Sequence, residues 1–311
     1  MKTLRIGTRN STLALEQTHK VASALPINQK IEIIEISTIG DKIQSVPISK
    51  IGESAVFAKQ LEDALLAGEI DIAVHSCKDL SSQLPKGITL ARMLEREDPR
   101  DALILPSFAS TVLNWKNVHV VGTSSIRREA LLRLSHPHIT IKNIRGNMQT
   151  RLKKLDDVNN TYDAMIVALA GFKRLGWDAR VSTILEHHWA IGQGAIAIQC
   201  RSEDTHIREM LKNITCWNTW LTVSCERAIM KTLNGGCSIP LGVKTNLVNN
   251  TLTIECILFN SKNKHRIAKA TRSNIPTDWA MIKEFSEDIA SEICPHISEI
   301  LKDDVLPKIT E

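Results

Sequence analysis

The sequence has few aromatic residues and no long apolar stretch. Phe, Trp and Tyr make up 4% of the 311 residues, so the cores are expected to consist mainly of Ile, Leu, Val and Ala. No run approaches the roughly 18 consecutive apolar residues of a membrane-spanning helix. The segment 1–9 also lacks the apolar centre of a signal peptide. These absences predict a soluble, cytoplasmic protein without a membrane partner.

The seven cysteines form no Cys-x-x-Cys pair. They are scattered and odd in number, so we predict neither a disulfide framework nor a metal site, and we expect free thiols in a reducing compartment. The phosphate-binding patterns Gly-x-x-x-x-Gly-Lys-Ser/Thr and Gly-x-Gly-x-x-Gly are missing as well. A nucleotide is therefore not the obvious ligand.

Positive charge is concentrated in the middle of the chain. Residues 101–180 contain 12 Lys and Arg against 6 Asp and Glu, whereas the whole chain carries a net charge of only +5. Such an excess on one part of a protein favours an anionic partner. A solvated basic surface would have the same composition, so charge alone leaves both interpretations open.

The first two thirds of the chain alternate short β-branched strands with amphipathic helices, the first of which is predicted over 12–24 with Ser11 as its N-cap. The alternation predicts a mostly parallel sheet, and it restarts after Pro99, which predicts a second α/β unit. The expected crossovers between the units are the charged segment 95–101 and the glycine-containing segment 192–194. The last third has a helix, three alternating strands and a long amphipathic helix, which predicts a small α+β unit.

Basic and polar side chains follow several of the predicted strands. Arg9 and Ser11 follow the first strand, and Lys78 and Asp79 follow the strand over 70–75. Since open α/β sheets bind ligands at the carboxyl ends of their strands, these side chains are expected to border one cleft. A single exposed arginine is more often an ordinary surface ion-pair partner, but a group of six favours a polyanion site. The six are Arg9, Arg127, Arg128, Arg145, Arg151 and Arg174.

The reactive groups near these strand ends are an acid and a thiol. Asp79 lies beside cations and is expected to stay ionised, either to stabilise a developing positive charge or to form a structural ion pair. His75 is expected to be a strand-end histidine with satisfied hydrogen bonds rather than a base. Cys237 differs from the other thiols, because Gly235-Gly236 allows a tight turn that leaves its sulfur accessible.

Taken together, the motifs resemble those of the hydroxymethylbilane synthase (porphobilinogen deaminase) family from about residue 4 to the final helix. Many ordered motifs match at family-like spacing. They are Arg9-x-Ser11-x-Leu13-Ala14, His75-Ser76-x-Lys78-Asp79, Glu95 to Ala102, Gly122 to Arg128, Arg145-Gly146-Asn147, Ala170 to Gly176, Gly192-Gln193-Gly194-Ala195 and Gly235-Gly236-Cys237.

The resemblance implies an α/β fold. It consists of two domains like type II periplasmic binding proteins, with mixed sheets, and a small C-terminal α+β domain with a three-stranded antiparallel sheet. The implied divisions are 1–97 plus 194–213 for domain 1, 98–193 for domain 2 and 217–311 for domain 3.

The resemblance also implies a transferase that condenses four porphobilinogen molecules with loss of ammonia. The condensation takes place on a dipyrromethane cofactor joined to Cys237 by a thioether, with Asp79 as the catalytic acid/base. It implies a monomer that passes its product to uroporphyrinogen-III synthase and binds no nucleic acid. The residues implied to hold the carboxylates of cofactor and substrate are Arg9, Ser11, Lys78, Ser125, Arg127, Arg128, Arg145, Arg151 and Arg174.

Three positions depart from the family pattern. The loop Gly52 to Phe57 reads Gly-Glu-Ser-Ala-Val-Phe instead of Gly-Gly-Lys-Gly-Leu-Phe, Leu80-Ser81 replaces Val-Pro, and Gln199 replaces a common glutamate. Activity is still expected, with altered kinetics. Two alternatives remain: a non-catalytic binding protein for a carboxylated ligand, which would leave the Gly-Gly-Cys loop unexplained, and a nucleic-acid binder, which would need more aromatic residues in the basic region.

Overall fold

A computed structural model describes residues 3–38, 53–109, 114–234 and 239–302. The strands are β1 (Leu4–Arg9), β2 (Ile31–Ile36), β3 (Ile72–Ser76), β4 (Ile88–Met93), β5 (Asp101–Ile104), β6 (Val120–Gly122), β7 (Thr140–Lys142), β8 (Ala164–Ala168), β9 (Thr183–Leu185), β10 (Ile196–Arg201), β11 (Leu241–Val248), β12 (Thr251–Phe259) and β13 (His265–Arg272). The α-helices are α1 (Thr12–Ala24), α2 (Glu53–Leu66), α3 (Ile126–Ser135), α4 (Met148–Asp156), α5 (Leu169–Arg174), α6 (Thr205–Met210), α7 (Trp217–Thr232) and α8 (Ile282–Lys302).

The strands form two five-stranded mixed sheets and one three-stranded antiparallel sheet. The first sheet has the order β2-β1-β3-β10-β4, the second β7-β6-β8-β5-β9, and the third β11-β12-β13. The chain leaves the first sheet after β4 and returns to it at β10, which confirms the two expected crossovers. The α/β fold class with a small α+β part is likewise confirmed.

The expectation of mostly parallel sheets is wrong in one respect. β10 runs antiparallel to β3 and β4, and β5 runs antiparallel to β8 and β9. Each of these strands is the first to follow a crossover from the other sheet. A strand that enters in this way is not the product of a right-handed βαβ connection, so its direction is not fixed by that rule.

Helix α1 begins where its sequence predicts. The Ser11 side chain caps the helix by accepting a hydrogen bond from the Ala14 backbone N–H at 3.3 Å. Such a cap satisfies one of the free N–H groups of the first turn. The helix buries Gln17 and Val21 on its inner face. The cap and the inner face together hold the N-terminus of α1 directly after the end of β1, where Arg9 and Ser11 lie.

The third sheet is covered by α7 and α8. A continuous core joins Leu221 and Ile229 of α7, Val243 and Ile254 of the sheet and Ile293 of α8. None of the helices in the described segments is long and apolar enough to cross a membrane. The residues between α7 and β11 include Cys237, which lies outside the described residues. Of the atypical loop Gly52 to Phe57, Gly52 also lies outside the described residues, and 53–57 belong to α2.

Candidate active site

A cavity of about 520 Å³ lies between the first and second sheets. Its walls come from the ends of β1 and β3, from the start of α1, and from the segment that leads into α4. Among the residues lining it are Arg9, Ser11, Ser76, Lys78, Asp79, Ser124, Arg145, Met148 and Arg151. The structure thus brings together one carboxylate and four cations that the sequence assigned to a common cleft.

A smaller cavity of about 70 Å³ shares Lys78 and Arg151 with the first. Arg128 and Arg174 line this second space. Five of the six arginines that the sequence assigned to the cleft therefore line one or both cavities. The exception is Arg127, which lines neither cavity.

Lys78 and Asp79 are held in a tight 3-10 turn directly after β3. The Cys77 N–H donates to the Ala195 carbonyl at 2.9 Å, and the Leu80 N–H donates to the Cys77 carbonyl at 3.1 Å. Both side chains are half-buried. Desolvation lowers the pKa of Lys78 to about 8, and Asp79 opposes this shift, while Arg128 adds to it. The acid and the lysine are therefore fixed in position beside each other at the cavity wall.

Helices α4 and α5, which follow strands of the second sheet, contribute arginines whose contacts with backbone carbonyls orient them. The Arg151 Nε donates to the Gly146 carbonyl at 2.8 Å. Desolvation lowers the pKa of Arg151 to about 10, with Arg128 adding to the shift and Asp79 opposing it. The Arg174 Nη2 donates to the Gly194 carbonyl at 2.6 Å, and desolvation lowers its pKa to about 10 as well. Both guanidiniums remain cations at neutral pH.

Arg127 and Arg128 are buried and share one carboxylate. The Asp101 oxygens lie 2.8 Å from the Nη2 atoms of both arginines. Arg127 also donates to the His188 carbonyl at 2.5 Å. For Arg127 to contact a ligand in either cavity, its ion pair with Asp101 and its hydrogen bond to the His188 carbonyl would have to break. The structure therefore gives Arg127 a different environment from the one the sequence predicted.

Ser125 is the helix cap of α3 rather than a residue of the cavity lining. Its side chain faces the Arg128 backbone N–H at 3.5 Å, and the neighbouring Ser124 lines the larger cavity. The Ser124 hydroxyl donates to the Ile144 carbonyl at 2.9 Å. Adjacent serines point in different directions from the same turn, which a sequence pattern does not resolve.

The cavity also contains residues that sequence reasoning missed. Gln17 is buried, and its Nε2 donates to the Ser76 hydroxyl at 2.8 Å. Its position four residues after Leu13, which lines the same cavity, was the available signal, because residues four apart share one face of a helix. His75 lines the cavity, and burial lowers its pKa to about 4, while a side-chain hydrogen bond with Gln199 opposes that shift.

Helix α7 connects the third sheet to the region of Asp79. The Arg227 Nη2 donates to the Ser81 carbonyl at 2.6 Å, two residues after Asp79. On the same helix, Glu226 is fully buried and pairs with Arg96 of the first crossover, with 2.6 Å between Oε1 and Nη1. The helix that leads toward Cys237 is therefore anchored next to the turn that carries the acid.

Comparison with known proteins identifies the same family over both halves of the chain. Residues 4–209 match the family model described as porphobilinogen deaminase, dipyromethane cofactor binding domain, and residues 220–293 match porphobilinogen deaminase, C-terminal domain. The porphobilinogen deaminase of Synechococcus elongatus is 44% identical over 259 residues, which are 81% of this chain and 80% of that protein. That of Syntrophobacter fumaroxidans is 38% identical over 298 residues, 94% of each chain. The solved CA3427 gene product of Candida albicans, titled as having the generic periplasmic binding protein structural fold, aligns at 12% identity with a TM-score of 0.39, over 97% of this chain and 94% of its own.

Proposed function

The chain belongs to the porphobilinogen deaminase family, and from that premise we propose which of its residues carry out the reaction. The protein is a transferase that condenses four porphobilinogen molecules on a dipyrromethane cofactor and releases ammonia and hydroxymethylbilane. This membership decides against the two non-enzymatic alternatives. The observation that supports the assignment of residues is the cavity where Asp79 faces Arg9, Arg145 and Arg151.

The cavity fits a dipyrromethane carrying two carboxylates on each ring. Its volume of about 520 Å³ is within the usual range for small-molecule sites. Its cations match the negative charge of such a group, and guanidinium groups bind carboxylates in a bidentate manner. The bound cofactor supplies the terminal pyrrole carbon onto which each new ring is added. The residues proposed to hold it and the substrate from the cavity walls are Arg9, Ser11, Lys78, Arg128, Arg145, Arg151 and Arg174.

Asp79 is the proposed catalytic acid/base. Loss of ammonia from porphobilinogen leaves a positively charged methylene-pyrrole, and a fixed carboxylate next to it stabilises that charge. The same carboxylate can take up the proton that leaves the attacked pyrrole carbon. Lys78 and the arginines neutralise the carboxylates of the substrate, so that Asp79 is the negative group left to face the reacting centre.

Cys237 is the proposed attachment point of the cofactor. The Arg227–Ser81 hydrogen bond anchors α7 beside Asp79, and residue 237 follows five residues after that helix ends. The described cysteines of the same unit, Cys225, Cys256 and Cys294, are buried, and burial raises their pKa. They are poor competitors for the attachment.

Replacing Cys237 with Ser is expected to abolish the covalent modification. Intact-mass spectrometry of protein purified from a tetrapyrrole-making host should show a mass excess matching a dipyrromethane in the wild type and none in the variant. Cys216→Ser, at a half-buried thiol, is the matched control and should keep the excess. A Cys237→Ser protein that retains the modification would show that another residue carries the cofactor.

Alkaline pH is expected to weaken substrate binding through Lys78. Its pKa is about 8, so its ammonium group loses its proton as pH rises through that value, and one cation of the cavity disappears. The value of kcat/KM for porphobilinogen should fall above about pH 8. In Lys78→Arg this decrease should move to higher pH, because arginine stays charged. The exposed Lys59→Arg variant should keep the wild-type profile. An unchanged profile in Lys78→Arg would remove Lys78 from substrate binding.

The remaining roles concern architecture and partners. The three sheets support a division into domains 1–97 plus 194–213, 98–193 and 217–311. Ser125 and Arg127 are proposed to act indirectly, Ser125 by capping α3 and Arg127 through Asp101. By family resemblance the protein is proposed to be a cytoplasmic monomer that hands hydroxymethylbilane to uroporphyrinogen-III synthase. Its mass in dilute solution, measured by light scattering, tests the monomer.

A further inference from the structure

Helix α7 packs against the turn that carries Asp79, although the helix covers the third sheet and the turn follows β3 of the first. Cys77 and Leu80, which lie before and after the acid, belong to one buried apolar cluster with Val223 of α7. Trp220 of the same helix packs against that cluster. Helix positions 220, 223 and 227 share one face, because residues three and four apart lie above one another. The face of α7 that packs against the turn therefore continues to residue 227.

The polar end of this contact is Arg227, whose side chain is half-buried. Its Nη2 donates to the Ser81 carbonyl at 2.6 Å. Burial raises the pKa of the Cys77 thiol, and the charge of Arg227 and its hydrogen bond with that thiol oppose the rise. A guanidinium has its N–H donors in a fixed planar fork, so it can hold two groups at once. One side chain thus contacts the chain two residues before Asp79 and two residues after it.

The backbone of Arg227 is held in place by its neighbour Glu226, which is fully buried. The Glu226 Oε1 lies 2.6 Å from the Arg96 Nη1, and its Oε2 accepts a hydrogen bond from the Gly192 N–H at 2.8 Å. These two partners belong to the two crossovers between the first and second sheets, so α7 is fixed to both. At the other end of the Arg227 side chain, the acceptor is the main-chain carbonyl of Ser81. The contact therefore does not depend on the atypical side chain at that position.

We propose that Arg227 is a positioning residue, which fixes the Asp79 carboxylate relative to the reacting centre through its contacts with Cys77 and Ser81. The inference rests on the proposed roles of Asp79 and Cys237, and it makes α7 the element that holds the acid in register with the unit carrying the cofactor. Only one methylene separates an aspartate carboxylate from its backbone, so a displaced turn moves the acid by a similar distance. A misplacement of about 1 Å can lower a rate about 100-fold. Arg227 is not among the described residues that line either cavity, so its loss should affect turnover rather than substrate binding.

The first test separates turnover from substrate binding in the holoenzyme. Arg227→Met should lower kcat for porphobilinogen about 10- to 100-fold and leave KM within about twofold. Arg227→Lys keeps a cation that can donate to the Ser81 carbonyl but lacks the planar fork, so its kcat should fall less, about 3- to 10-fold. The matched control is Lys231→Met, which removes an exposed cation one helical turn further along α7 and should leave both constants within about twofold. An unchanged kcat in Arg227→Met, or a change confined to KM, would overturn the proposal.

The second test distinguishes positioning of the acid from general support of the fold. Arg227→Met is combined with Asp79→Asn in a double-mutant cycle. In the Asp79→Asn background, Arg227→Met should lower kcat less than about twofold, because no acid remains to be misplaced. A loss of the same size in both backgrounds would show that Arg227 acts through something other than Asp79, and would overturn the proposal. If the Met variant does not fold, the same cycle with Arg227→Lys decides by the same comparison.

The cycle also separates this inference from the proposed function on which it rests. If Asp79→Asn is slow and the Arg227 variants turn over like the wild type, the positioning role is wrong and the proposed function is unaffected. If Asp79→Asn alone turns over normally, the proposed role of the acid fails, and the inference about Arg227 fails with it.

Discussion

Replacing Asp79 with Asn is expected to slow porphobilinogen consumption about 100- to 10,000-fold, the range by which positioned acid/base groups accelerate reactions. The substitution keeps the shape of the side chain and removes its charge. Asp79 carries the only carboxylate among the described residues that line the cavity, so the variant has none there to stabilise the positive methylene-pyrrole. The protein should still fold, because the 3-10 turn is fixed by backbone hydrogen bonds of Cys77 and Leu80 and not by the Asp79 side chain.

The matched control is Asp63→Asn. Asp63 is an exposed residue of α2 whose carboxylate pairs with Lys59 at 3.1 Å on the protein surface. The same chemical change there should leave the rate of porphobilinogen consumption within about twofold, because exposed ion pairs contribute little. Single-turnover measurements of ammonia release would compare the two variants. Near-normal turnover of Asp79→Asn would mean that another group stabilises the cation.

The local elements of the fold were predictable because their signals lie within a few residues of each other. Helix α1 starts at Thr12 after the Ser11 cap, as its sequence predicts. Strands β4, β9 and β10 were missed. β10 is a short apolar run after Gly194, and such a run has no periodicity that separates a buried strand from a buried helix. Its antiparallel direction depends on where the returning chain enters the first sheet, which no local pattern encodes.

The sequence predicted which residues at strand ends border the cavity, but it did not distinguish which residues within the helices do. Lys78 and Asp79 follow β3 directly, so the rule for α/β sheets placed them at the cavity. Arg127 and Arg128 are consecutive in α3 and project in directions about 100° apart, so their shared motif could not tell which one borders a cavity. The carboxylate that holds both, Asp101, is 26 and 27 positions away in sequence and belongs to another element.

Asp101 is also a position where a small substitution should cost much stability. It is 2% exposed and accepts hydrogen bonds from Arg128 and from Gln193, both at 2.8 Å, in addition to pairing with Arg127. Asp101→Asn removes the negative charge and leaves two buried guanidiniums next to each other. Breaking a buried ion pair by removing one partner typically costs about 3–5 kcal/mol. Urea denaturation followed by circular dichroism should show a loss of this size.

A surface pair on the same helix provides the comparison for that loss. Glu129 and Arg133 of α3 are 2.9 Å apart, and their side chains are 40% and 53% exposed. Glu129→Gln removes one carboxylate, as Asp101→Asn does, but water solvates the arginine that remains. Its cost should stay below about 1 kcal/mol. Equal costs for the two variants would mean that the charge of Asp101 does not hold α3 against β5.

The contribution of Asp101 should depend on pH in a direction set by its shifted pKa. Burial alone would raise that pKa, but Arg127 and Arg128 outweigh burial and hold it well below the ordinary value of 3.8. Folding therefore favours the ionised form, and the stabilisation is fully present above about pH 3.8. As pH falls further, the Asp101 carboxylate binds a proton in the unfolded chain but stays ionised in the folded protein. The stabilisation is therefore lost. The difference in unfolding free energy between wild type and Asp101→Asn should accordingly be constant from pH 5 to 8 and shrink below pH 3.8. A difference that stays constant below that pH would show that the carboxylate acts through shape and hydrogen bonds rather than through its charge.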